Sequence, residues 1–183
     1  EIPLRLVGSE MCIRDRYQGL TTELCTVKLT EVDAFQREES GQWEKTEHEV
    51  YTGQWLLCEL EREIPTWLTI WLRAGLDRFL SVKTVRTGNE DFDRRFCVSC
   101  GDEAAALRIL MPDRAARILT LADSAFGKFA VNLNRDGRLY LAVHSGRGFF
   151  DVGKGNEDPA QLRRRFAGEL SWFAGMIDVF RDV

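Results

Sequence analysis

No run of about 18 apolar residues occurs in the 183-residue sequence, so no stretch of it is long enough to cross a bilayer as a helix. The most apolar window, residues 67–72, is only strand-sized. The N-terminal stretch has neither a continuous apolar core nor a small-residue cleavage site, and does not read as a secretory signal. Excess positive charge is lacking too. With 25 Lys and Arg against 29 Asp and Glu, the net charge of −4 provides no field to gather nucleic acid or anionic lipid. Histidine is confined to His48 and His144. Cys12, Cys25, Cys58, Cys97 and Cys100 are odd in number and lack the dense, even spacing of a secreted disulfide scaffold. Unpaired thiols in a reducing compartment are the expectation. No internal repeat or low-complexity tract is present.

What is there suits one globular domain. Hydrophobic residues make up 44% and charged residues 30%, enough to bury one core and solvate a surface. The first sixteen residues, ending Met11-Cys12-Ile13-Arg14-Asp15-Arg16, keep neither helical nor strand periodicity for long. They resemble translated adaptor read-through from environmental sequencing. The expectation is a non-native segment over 1–16, a single domain over 17–183, and a true upstream part that is missing.

From about Leu24 the pattern is that of strands. Cys25, Val27 and Leu29 alternate with Thr26, Lys28 and Thr30. Residues 43–51 are polar on both faces, as an edge strand would be, with a bend or bulge at Gly53 and an apolar strand over 55–60. Further strands are expected over 66–72, 79–85 and 96–99, with a helical turn placing Phe92 and Phe96 on one side. Pro112-Asp113 opens a helix with Ala115, Ile118, Leu119 and Ala122 on its apolar stripe. Asp136-Gly137 between two apolar runs marks a hairpin. Asp158-Pro159 opens a final helix whose apolar residues are Leu162, Phe166, Leu170, Phe173, Ile177 and Phe180. These elements predict an α+β fold: an antiparallel multi-stranded sheet, one mid-chain helix and a C-terminal amphipathic helix packed on the sheet.

No catalytic constellation stands out, and no catalytic, cofactor-binding or metal-binding residue is assigned. Gly148 to Gly155 has the glycine spacing and the Lys154 of a phosphate-binding loop, but Gly155 stands where a magnesium-holding hydroxyl is needed. A surface loop fits better. Cys97 and Cys100 have CxxC spacing without the second pair that zinc requires, and on a strand they would face opposite ways. Asp91 with Asp93, Asp102 with Glu103, and Glu157 with Asp158 suit helix caps and turns. Arg163-Arg164-Arg165 reads as a solvated helix face. His144, Arg147, Asp151 and Lys154 cluster after the hairpin, and are the candidates for contact with a ligand or partner.

The stretch from Gly88 onward resembles a bacterial family of unknown function, domain-of-unknown-function family three-one-three-seven. The resemblance lies in Asp91-Phe92-Asp93 through Phe96-Cys97-Val98, Asp102-Glu103-Ala104, Ile109-Leu110-Met111-Pro112, residues 137–143 and Phe149-Phe150-Asp151. Tyr51-Thr52-Gly53-Gln54-Trp55 resembles its earlier strand region. The resemblance implies a domain of a membrane-associated protein on the cytoplasmic side of the inner membrane, tethered through upstream segments. It carries over no catalytic residue. The leading expectation is a non-enzymatic domain that binds an unidentified protein partner. The competing one is an enzyme or small-ligand domain with a cleft near His144, Arg147 and Asp151.

Overall fold

The computed structural model describes residues 4–6, 12–36, 43–73, 83–149, 151–152 and 158–183. Two short strands, β1 (Leu4–Leu6) and β2 (Cys12–Tyr17), lie along β3 (Leu20–Gln36), which pairs with β4 (Trp43–Glu59). The remaining strands are β5 (Leu68–Leu72), β6 (Phe96–Cys100), β7 (Lys128–Leu133) and β8 (Arg138–His144). They form one sheet in the order β1-β3-β4-β8-β7-β5-β6, with β2 also on β3, and every pairing is antiparallel. The described helices are α1 (Glu90–Arg95), α2 (Glu103–Ile109), α3 (Pro112–Asp123) and α4 (Pro159–Phe180). None is long and apolar enough to cross a membrane. The fold is α+β, as expected.

Alternation decides which face is covered. Leu139, Leu141 and Val143 of β8 are buried, whereas Arg138, Tyr140 and His144 are exposed. The buried set meets Phe129, Val131 and Leu133 of β7, with Phe173, Met176, Ile177 and Phe180 of α4 closing the same core. Each fully buried side chain of this size contributes about 2 kcal/mol of transfer free energy. Trp172 of α4 anchors the helix. Its indole Nε1 donates to Leu121 O of α3 at 2.8 Å, and its ring meets Phe129 edge-on at 5.1 Å.

Four local expectations change. The irregularity expected at Gly53 falls earlier in β4: the register with β3 shifts at Leu29/Thr30, where Val50 is the extra residue, and Gly53 itself stays in register with Val27. Glycine is needed at 53 for a different reason, since a Cβ there would sit 1.9 Å from Val143 O of the neighbouring strand. Leu170 is 45% exposed, and Glu169, Trp172 and Met176 take the buried face instead. An additional helix, α2, follows Asp102, whose carboxylate accepts from Ala105 N at 2.8 Å. Cys12 and Cys25 form a disulfide between β2 and β3, against the expectation of unpaired thiols. Of the strand expected over 79–85, residues 79–82 lie outside the described residues, and Val85 forms an isolated bridge to Val98.

Candidate functional site

The chain leaving β8 is pinned to the sheet by buried polar side chains of β3 and β4. Gly146 N donates to Thr52 O at 2.9 Å, and Phe149 N donates to Thr26 Oγ1 at 2.9 Å. Gln54 is fully buried, so both ends of its amide need partners. Its Nε2 donates to Arg147 O at 3.1 Å, and its Oε1 lies 2.9 Å from Ser145 Oγ. Phe149 turns into the core and is buried. This first part of the glycine-containing segment is therefore packed, unlike the solvated loop expected from sequence. Residues 153–157, with Lys154 among them, lie outside the described residues.

The described contacts draw Arg147 and the main chain at Asp151 to α4, and leave His144 on the sheet. Arg147 reaches α4, where its Nη2 donates to Glu169 Oε1 at 2.5 Å. Glu169 is 2% exposed, and Arg165 Nε stands 4.0 Å from the same oxygen. Arg165 also donates to the main-chain carbonyl of Asp151. Far from lying on a solvated face, Arg165 turns inward and ties the segment to α4. Arg147 Nε and Glu169 Oε2 are both buried and without a hydrogen-bond partner. They are a donor and an acceptor of the same ion pair, which holds through a single bond.

His144 goes the other way. It ends β8 on the exposed face, with its ring 5.1 Å from that of Tyr51. The Tyr51 hydroxyl lies 3.1 Å from Val143 O, and burial pushes the phenol well above its ordinary value, so it stays protonated. Four cavities among the described residues are lined without His144, Arg147 or Asp151.

The cysteines and acidic pairs take structural places. Cys97 is buried on β6, and Cys100, three residues along the same strand, falls on the opposite face. Burial, aided by Glu103 and Asp102, raises the Cys100 thiol, and burial pushes Cys58 up to about 11. Both are poor nucleophiles near neutral pH. Among the described residues no group of three or more His, Cys, Asp or Glu is placed to hold a metal ion. Asp93 accepts from Thr87 N, Thr87 Oγ1 and Gly88 N, while Asp102 and Asp158 cap α2 and α4.

The polar residues that hold this region together, Thr26, Gln54 and Glu169, were not singled out by sequence. One signal was available for Glu169: a carboxylate one position from the apolar stripe of a helix, with an arginine four residues earlier. A family described as "Protein of unknown function (DUF3137)" matches residues 49–181. No curated protein and no solved structure matches the chain. The matched stretch holds Gln54, Arg147 and Glu169 together, and leaves β1, β2 and β3 outside. The chain belongs to the DUF3137 family of proteins of unknown function.

Proposed function

We propose that this domain is a non-enzymatic binding module, the cytoplasmic part of a bacterial protein tethered to the inner membrane through upstream segments. Its partner is a protein that docks on the folded domain. One observation supports this above others: Arg147, the one described cation of the candidate cluster, is directed onto buried Glu169 of α4. A guanidinium drawn onto a buried carboxylate in this way helps organise a surface. Residues 1–16 belong to this reading as a non-native extension, and 17–183 as the domain.

The test is cross-linking in cells that carry the intact protein, followed by affinity capture. A reproducible protein partner that is lost on truncating the domain is the result expected. Repeated capture of nothing specific after cross-linking would refute the reading. So would a hydrolytic or transferase activity abolished by His144→Ala in a chain that still folds.

A further inference from the structure

The face of the sheet turned away from the core carries a cavity of about 630 Å³. The register explains why it is there. Ala142 of β8 and Ala130 of β7 sit side by side, with Trp55 of β4 in line beyond Ala142. One rung away, Leu57, Tyr140, Asn132 and Thr69 line up across four strands. Two adjacent alanines leave a hollow between larger neighbours. Trp55 and Tyr140 stand beside it, 42% and 37% exposed. Such exposure is costly for aromatic side chains that border one apolar depression.

The chemistry of the lining selects the occupant. Glu23 is the one charged side chain among the lining residues, and Arg14 already pairs with it at 3.0 Å. A carboxylate or phosphate placed here would meet no counter-charge. At the Asn132 end, the Asn132 amide donates to Thr69 Oγ1 at 2.8 Å, leaving the Thr69 proton and the Asn132 carbonyl to face a ligand. Volume and lining fall within the range of small-molecule sites, mostly apolar with a few polar groups that set orientation. A flat protein surface would bridge the hollow and leave it empty, whereas protein interfaces close-pack. Of the lining residues only Cys12 comes from the first sixteen.

We propose that this cavity binds a small apolar molecule with an uncharged hydrogen-bonding end, of the class of a long-chain alcohol or primary amide. The apolar body lies over Ala130 and Ala142 against Trp55, and the polar end meets Asn132 and Thr69. This site is separate from the Arg147–Glu169 region and does not depend on the protein partner proposed above.

The test titrates the full chain with the uncharged fluorophore N-phenyl-1-naphthylamine. Saturable binding is expected, displaced by 1-dodecanol and not by dodecanoate. Ala142→Phe fills the hollow and should weaken binding by about tenfold or more. Trp55→Ala, at an exposed position, keeps the test available should Ala142→Phe fail to fold, and should weaken binding several-fold. Absence of saturable binding would overturn the proposal. Equal displacement by dodecanoate, or affinity unchanged in the folded variants, would do the same. Dye binding lost as the chain self-associates would assign this face to a second copy and also overturn it.

Discussion

At the scale of single residues, close approach and burial decide more than residue type. Gly53 is hemmed in by the backbone of β8, with Val143 O only 1.9 Å from where a Cβ would stand. Gly53→Ala should therefore cost about 2 kcal/mol or more, read as a fall in the urea midpoint, because the strand pair must separate to admit the methyl group. Cys58 gives a pH signature. Its thiol is raised from 9.0 to about 11 in the fold by burial, so the unfolded chain releases this proton first. The stabilisation is complete below about pH 9 and is lost as pH climbs through about 11. Urea unfolding at about pH 8 and about pH 10.5 should show the parent losing up to about 2 kcal/mol more than Cys58→Val between the two. Equal losses would mean that the thiol is not shielded. Gly53 shows how such facts escape sequence reading: the glycine is visible, but the neighbouring carbonyl that requires it lies 90 residues on in the chain.

At the scale of elements, local chemistry was legible wherever it acts through near neighbours. Pro112, Asp158-Pro159 and Asp136-Gly137 mark α3, α4 and the β7–β8 turn, because caps and turns are satisfied within a few residues. Gly137, with φ +80, occupies the left-handed region that the turn requires. Helix α2 was missed although Asp102 is its N-cap, since seven residues give too little periodicity to register. Asp102→Ala should destabilise the domain by about 1 kcal/mol, and Asp102→Asn should restore most of it, measured by thermal unfolding. An Asn variant as weak as Ala would show that the charge at the helix end matters and the cap bond does not. Of the apolar stripe read for α4, Phe173, Ile177 and Phe180 are buried and Leu170 is not. The apolar pattern does not exclude a carboxylate from the buried face, and Arg147, with Arg165 nearby, makes Glu169 acceptable there.

At the scale of the whole molecule, the sheet is covered on one face by α4, and Phe149, between β8 and α4, is part of that cover. The antiparallel α+β architecture was legible because strand alternation and one amphipathic helix suffice to specify it. The candidate cluster was legible only as a neighbourhood. His144, Arg147 and Asp151 are close in sequence, but His144 ends β8 on the exposed face beside Tyr51, whereas Arg147 reaches Glu169 of α4 and the Asp151 carbonyl accepts from Arg165 of the same helix. If residues 1–16 are a non-native extension, a chain starting at residue 17 should fold, and under reducing conditions, where the Cys12–Cys25 bond is open in the full chain too, should be less stable than it by under about 1 kcal/mol. A collapse of cooperative unfolding would show that β2 belongs to the domain.

Arg147 serves the fold by pairing with buried Glu169. A double-mutant cycle by urea denaturation tests it, with Arg147→Met, Glu169→Gln and the pair together. Removing the arginine alone leaves the buried carboxylate with Arg165 Nε, at 4.0 Å, as its nearby cation, and should cost about 2 kcal/mol after allowing for the partial exposure of Arg147. The double variant should recover part of that loss, giving a coupling of at least about 1 kcal/mol. Additive effects with no coupling would contradict the account and return Arg147 to the list of groups available for a ligand.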